Sequence, residues 1–372
     1  MIHHKIKPFF NLFDLKFKIT LFVAVFFYVI LLFFLSLREF RTDDPTPKVK
    51  EISFKMRKNY RDLSTKVRAG LFIKNFPTFD FTSNNFTIDA IVWFEYNKNE
   101  VMQSTIDKFS FDNSKMLHKS APHVSMHHDK ILATYDVVFE AKTDLDFHRF
   151  PLEDHRLSLV LTNNAVVPSE MFFDYEANAI SLRVSEKLFT SNWLVHSLET
   201  GSGYTALHID EHNKRKIIRT PKAVFTINFE KSGINKILII FVPLFAAIFL
   251  ALLTFLLSFN SASAKTTLSV TAVTALLGYR FVIQQISPPV GYFTITDKIF
   301  VFFIGLSFLI MLFQLILLRQ YLFLMDREKI KKSEQPESDT TIYSPRITER
   351  INSLVYFGTI IIFVIVLAYL MR

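Results

Sequence analysis

Five apolar stretches constrain this chain more than anything else in it. Ile19–Leu37, Ile237–Leu257, Leu268–Ile286, Ile299–Leu318 and Leu354–Met371 each approach the roughly 20 residues that a helix needs to cross a bilayer. Backbone in hydrocarbon must satisfy its own N–H and C=O groups, which commits such stretches to helices. Their spacing is uneven. Residues 38–236 separate the first stretch from the second, whereas short turns separate the second, third and fourth. For the first stretch the competing reading is a signal peptide. Its apolar run is long, however, and the flank Ser36-Leu37-Arg38-Glu39-Phe40 offers no small-x-small cleavage site, so an uncleaved signal-anchor is expected.

Lysine and arginine in the flanks set the orientation. Lys5, Lys7, Lys16 and Lys18 precede the first stretch. Arg319, Arg327, Lys329, Lys331, Lys332, Arg346 and Arg350 lie between the fourth and fifth. Both segments are expected in the cytoplasm. The large block after the first stretch is then extracytoplasmic, Asn260–Ser263 turns inside, Ser287–Thr296 turns outside, and Arg372 ends outside.

Half of the residues are hydrophobic and 21% are charged, the mixture of a membrane protein with a sizeable polar domain. The absence of cysteine excludes disulfides, thiol nucleophiles and thiolate metal sites. The net charge of +9 is spread along the chain and reads as membrane orientation, with no nucleic-acid partner. Residues 38–66 read as a linker, with a short helix near Phe54–Leu63. From Val67 onward short β-type runs alternate with turn residues: Val67–Ile73, Phe86–Tyr96, Ile131–Glu140, Arg156–Leu161, Ile180–Val184, Trp193–Leu198 and Ala223–Phe229. Many short strands without long helical periods predict a β-sandwich. No GxSxG, HExxH or paired-carboxylate motif is present, so no catalytic residue is expected and the chain is not read as an enzyme. Nine histidines lie in this block. On a helix His123 and His127 would share a face, but Ala121-Pro122 and Ser125 favour a loop, and no metal site or cofactor is expected.

The third stretch differs from the others. Thr267, Thr271, Thr274, Gly278, Phe281 and Gln285 recur at alternating steps of four and three, which puts them on one helix face. Three hydroxyls, a glycine and an amide on one face need water or partner helices. Helix packing and a pore stand level on this evidence, since threonine and glycine are ordinary contact residues in membranes. One polar stripe cannot enclose a channel, so the pore reading demands an oligomer around an axis.

Three local motifs fall in order around these spans. Asp144–His155 contains Phe150-Pro151, with Glu153 and His155 after it. Lys231 stands twelve residues before Pro243. Pro288-Pro289-Val290-Gly291-Tyr292-Phe293-Thr294-Ile295-Thr296-Asp297 follows the striped stretch. Together they resemble the pentameric ligand-gated ion channels, the Cys-loop receptor superfamily, and within it the cysteine-free prokaryotic members. The first motif is similar to that family's Phe-Pro-Phe-Asp-x-Gln, with Glu153 for Asp and His155 for Gln. Lys231 and Pro243 resemble the basic residue and proline around its first channel helix. The third motif is similar to its Pro-x-x-x-Tyr-x-Thr-x-x-Asp linker. The chain departs from the family in its extra N-terminal anchor. The sixteen residues Arg38–Ser53 reach at most about 53–58 Å when extended.

The resemblance implies an extracytoplasmic β-sandwich plus an α-helical transmembrane bundle of four channel-type helices and one N-terminal anchor helix. Its parts are residues 1–37 (cytoplasmic N-terminus and anchor), 38–66 (linker), 67–232 (ligand-binding-like β-sandwich), 233–318 (first three channel helices), 319–351 (cytoplasmic loop) and 352–372 (last channel helix). It implies a homopentamer in membrane lipid, in a bacterial inner (plasma) membrane, gated by an unidentified small ligand or by protons. The six stripe residues would line the pore. Phe150, Pro151, Glu153, Lys231, Pro288 and Tyr292 would couple the outer domain to it, with Glu153 near Lys231. Trp93, Trp193 and Tyr204 are the candidate ligand-binding aromatics. Thr274 stands where the family commonly has a leucine ring, so Phe281 is the expected hydrophobic constriction. Lys265 falls off the stripe. Ser263 and Ala264 stand where many cation-selecting members carry a glutamate, so an anion-permeable or weakly selective pore is expected. The alternative is a non-conducting membrane sensor or scaffold with the same fold.

Overall fold

A computed structural model describes residues 15–36, 40–50, 65–175, 179–182, 193–208, 217–231, 234–334 and 343–371. The chain divides into a β unit, Phe40–Phe147 with Glu153–Gly233, and a helical unit, Met1–Glu39, His148–Leu152 and Ile234–Arg372. The short helix expected near Phe54–Leu63 lies outside the described residues.

Alternation builds the β unit. In β2 (Asn85–Asn97) every second residue, Phe86, Ile88, Ala90, Val92, Phe94 and Tyr96, is buried. A strand of period two thereby turns one face to the core. β1 (Thr65–Asp80) pairs with β2, and β2 with β6 (Lys130–Ala141), both antiparallel. β4 (Ser114–Lys119) and β5 (His123–His127) pair with β6; β8 (Met171–Asp174) and β9 (Ile180–Leu182) run parallel to β1. These strands form one sheet. The second has the order β10-β11-β7-β3, with β3 at Phe109–Phe111, β7 at His155–Asn163, β10 at Trp193–His208 and β11 at Ile217–Lys231. Inward residues of both sheets, among them Val92, Phe94, Phe139, Leu159, Phe225 and Phe229, form one hydrophobic core. The unit is β-sandwich-like.

Each expected strand run falls on an observed strand, although the end of Ile180–Val184 lies outside the described residues. β3, β4, β5 and β8 were not anticipated. β5 corrects the loop expected around His123. It is an exposed strand on β6, where four residues separate His123 from His127 by about 13 Å. That is too far to share a metal. Among the described residues no group of three His, Asp or Glu could hold one.

The helical unit holds α1 (Leu15–Ser36), α2 (Asn235–Leu253), α3 (Ala262–Ile286), α4 (Ile295–Glu334) and α5 (Tyr343–Met371). α1, α3, α4 and α5 are long and apolar enough to cross a membrane, and the protein is an integral membrane protein. α2 ends at Leu253, short of the expected Leu257. From Thr254 to Leu256 the backbone tightens into i→i−3 turns, which end the regular helix. Its 19 residues still extend about 28 Å, near the ~30 Å of hydrocarbon.

α1 is apolar all round, so its sequence does not choose a packing face. The fold chooses Val25, Val29 and Phe33, four residues apart, which are its buried apolar stripe. Phe22 and Phe26 meet Phe249 of α2 edge-on at 5.4 and 5.3 Å between centroids, and Phe33 meets Phe241 at 5.3 Å. On α5 the buried Tyr356 hydroxyl donates to the Lys18 carbonyl at 3.0 Å.

Phe94 is fully buried in the β unit's core. Phe94→Ala is expected to destabilise that unit by about 3–5 kcal/mol. Both tryptophans of the chain, Trp93 and Trp193, lie in this unit. Denaturant unfolding of the full chain followed by tryptophan emission therefore checks the figure.

Candidate functional site

α3 has two sides. Lys265, Ser269, Ala272, Leu276 and Ile283 are buried against the rest of the helical unit. Thr267, Thr271, Thr274, Gly278, Phe281 and Gln285 are all exposed on the side turned away from it. Phe281 is 71% exposed, and a Cβ added at Gly278 would meet nothing. Within one chain, helix packing does not use the stripe. Its hydroxyls and amide are left to water or to another chain.

Lys265, predicted to fall off the stripe, turns inward and is 1% exposed. Its ammonium donates to Gln314 Oε1 of α4 at 3.2 Å and lies 4.1 Å from the centre of the Phe259 ring. Gln314 Nε2 donates in turn to Asn352 Oδ1 of α5 at 3.1 Å. Asn352 Nδ2 donates to the Phe255 carbonyl after α2 at 3.1 Å. A chain of amides thus ties the start of the striped helix to α4, α5 and the segment following α2. Buried polar groups persist in a bundle only when partnered in this way.

At the other end of α3, Arg280 bonds Asp297 Oδ1 at 2.5 Å, and Asp297 also accepts from the Thr294 hydroxyl and N–H. Residues 148–152 are counted in this same unit. His148 stacks on Tyr292 with centroids 4.0 Å apart and rings 7° from parallel. The Ile295 N–H donates to the His148 carbonyl at 2.8 Å, and the Thr296 hydroxyl donates to the Phe150 carbonyl at 2.8 Å. The Phe150–Pro151 peptide is cis. The segment that carries the sequence-predicted coupling residues Phe150 and Pro151 is thereby tied, through His148 and the Phe150 carbonyl, to the linker that carries two more, Tyr292 and the buried Pro288.

The other two lie in the β unit, where the chain enters β7. Glu153, Asp154 and His155 are all buried there. His155 Nδ1 lies 3.1 Å from Asp44 Oδ2, and its Nε2 lies 3.6 Å from Glu153 Oε1. Phe81, Phe147 and Trp193 surround the imidazole at 4.8, 5.0 and 5.3 Å. Burial pushes the imidazole pKa down, but its hydrogen bonds to Asp44 and Glu153 and their charges outweigh this and hold it above the ordinary value. Asp154 accepts the Arg41 N–H at 2.8 Å and the Lys231 N–H at 2.9 Å. Burial holds its carboxyl above the usual range in spite of those donors. The resemblance pairs Glu153 with Lys231. Here Glu153 faces His155, and Asp154 takes the Lys231 backbone, while the Lys231 ammonium lies 5.6 Å from the centre of the Trp193 ring.

The three candidate ligand-binding aromatics do not converge within one chain. Trp93 is half-buried on the outward face of β2, laid over Gly70, where a Cβ would collide with the indole. Trp193 and Tyr204 share β10, eleven residues and about 36 Å apart. Trp193 belongs to the His155 cluster, and Tyr204 exchanges backbone hydrogen bonds with Lys50 at 2.9 and 3.0 Å. Sequence reasoning missed Asp44, Asp154, Gln314 and Asn352. Nothing in the local sequence marks Asp44 or Asp154 as buried. Gln314, a polar residue inside the fourth apolar stretch, carried a signal that could have been used, whereas Asn352 lies two residues before the fifth.

No protein-family model matches the chain. Among curated proteins it is similar to the gamma-aminobutyric acid receptor subunit epsilon of Homo sapiens, at 25% identity over 281 residues. The match covers 68% of this chain and 52% of that subunit, so the chain spans about half the length of the relative it matches. The likeness points to the Cys-loop receptors and agrees with the motifs and the order of elements.

Gln314→Leu would remove the acceptor of a buried ammonium and is expected to cost about 1.5–3 kcal/mol. Lys265→Met, which removes the charge itself, should cost less. Thermal unfolding of the detergent-purified protein gives the order, and equal or reversed losses would contradict the network.

Proposed function

We propose that this chain is one subunit of a ligand-gated ion channel, in which five identical copies surround a pore lined by the outward stripe of α3. The observation that carries the reading is that stripe. Thr267, Thr271, Thr274 and Gln285 present polar groups on a membrane helix, and the described residues of their own chain leave them exposed. Copies arranged around an axis would bring these faces together around water. Phe281 would then narrow the path. The likeness to a receptor subunit supports the same class.

In this reading the β unit receives a small ligand or protons, and the segment 148–152 with the Tyr292 linker passes the change to α3. Glu153 and Lys231 belong to the same path. The protein conducts passively, with no cofactor and no catalytic step. α1 is an uncleaved anchor in a bacterial inner membrane, with its N-terminus in the cytoplasm.

The absence of cysteine makes a direct test simple. Purified protein in a planar bilayer should pass current, after a screen of pH and small amines. Single cysteines at Thr267, Thr271 and Thr274 should react with a charged methanethiosulfonate and reduce that current. Cysteines at the buried Leu276 and Ile283 should not. Equal labelling of both sets would remove the pore assignment, and an assembled but silent pentamer would favour the sensor or scaffold.

Ion selectivity makes a second test. Ser263 and Ala264 bring no carboxylate to the mouth of the path, and the Lys265 ammonium is turned away from it. The pore is expected to pass anions or to select weakly. In a KCl gradient the reversal potential should stay away from the potassium equilibrium value, and Ala264→Glu should move it toward that value.

A further inference from the structure

Phe40–Lys50 runs along the β unit as a strap. Arg41 exchanges two hydrogen bonds with Asp154, and Lys50 exchanges two with Tyr204 of β10. Gly203 permits that approach, since a Cβ there would lie 2.4 Å from the Lys50 carbonyl oxygen. Between these ends Asp44 is buried. Its Oδ1 accepts the Asp146 N–H at 2.6 Å, and its Oδ2 accepts the Arg156 N–H at 2.7 Å. These two amides flank the segment that carries Phe150 and Pro151. One carboxylate, 102 and 112 residues upstream of the two amides, therefore joins both legs of a loop. We propose that Asp44 is a latch that holds this loop closed, and that the latch loosens when His155 gives up its proton.

The chemistry of the imidazole carries the second half. Protonated, its two N–H groups serve Asp44 on one side and Glu153 on the other. Neutral, it keeps one N–H, and one of the carboxylates then faces a lone pair in a box of Phe81, Phe147 and Trp193. Glu153 has no reserve, since its Oε2 is buried with no donor among the described residues. Phe229, opposite His155 on β11, brings no charge. The neighbouring Asp154 feels the charges of Glu230 and Lys231 and accepts the backbone N–H groups of Arg41 and Lys231.

The direction follows from linkage. A histidine whose folded pKa is raised contributes stability that is fully present below the unfolded value of about 6.5. That contribution is lost as pH rises through the folded value. The latch is therefore firm in mild acid and loosened in alkali. Any effect on conduction rests on the channel reading above.

Hydrogen exchange of the full chain, read by mass spectrometry on peptides covering 144–158 and corrected for intrinsic rates, tests the latch without requiring current. In the wild type the Asp146 and Arg156 amides should lose protection between mildly acidic and alkaline pH, the direction set by the raised imidazole. Asp44→Asn should remove that protection at every pH. His155→Gln keeps an amide donor toward Asp44 and should retain protection that no longer varies with pH, so it carries the test if Asp44→Asn fails to assemble. Protection independent of pH in the wild type would overturn the latch. In bilayers, the pH dependence of channel activation should flatten in His155→Gln. An identical pH profile in both proteins would overturn the link to gating. Exchange as expected with no wild-type current would count against the channel reading and leave the latch standing.

Discussion

Hydrocarbon supplies no partner for a polar group, and each helix of the helical unit meets that constraint in its own way. α1 meets it by carrying almost none. Inside the bundle, Ser269 and Thr254 turn their hydroxyls back onto the carbonyls of Lys265 and Ala251. Lys265, Gln314 and Asn352 partner one another and end on the Phe255 carbonyl. The outward face of α3 is where the described residues supply no partner. The stripe is therefore the point at which the described residues leave polar groups of a membrane helix uncovered, and in the proposed channel a water-filled path among copies would cover them.

The β unit obeys a different balance. Alternating strands bury a continuous apolar core, and that core holds the unit together without help from charge. Where β7 begins, however, Asp44, Glu153, Asp154 and His155 are all taken out of water. Buried charges rarely add stability compared with apolar residues of similar size, but they tolerate few alternative arrangements. Their cost is offset by backbone donors from Arg41, Asp146, Arg156 and Lys231. The result is a loop whose geometry depends on particular hydrogen bonds and therefore on protonation.

Much of this was legible beforehand, for identifiable reasons. Strands with strong alternation, such as Phe86–Tyr96, announce themselves because burial on one face repeats every second residue. β5 did not, because it lies exposed on β6 and has no buried face to repeat, and β4 did not, because its six residues bury none fully and only Met116 among them packs on the core. The α3 stripe was readable because helical periodicity is a local property. The end of α2 was not, because Phe255-Leu256-Leu257 is as apolar as the helix before it, and the turn there is set by hydrogen bonds rather than by composition. The neighbourhood of Trp193 was not readable either, because its contact with the His155 ring joins residues far apart in sequence.

The sequence by itself determined the number and approximate position of the apolar spans, the β character of the block between the first two, and which residues of α3 share a face. Each of these follows from periodicity and transfer energy, which act over a few neighbouring residues. Tertiary structure decided what that face and the charged residues do. It turned Lys265 inward onto an amide of α4, left Thr267 through Gln285 uncovered, and carried Asp44 onto amides more than a hundred residues away. Hydrogen bonds across such separations depend on where the whole chain goes, and no local pattern encodes them.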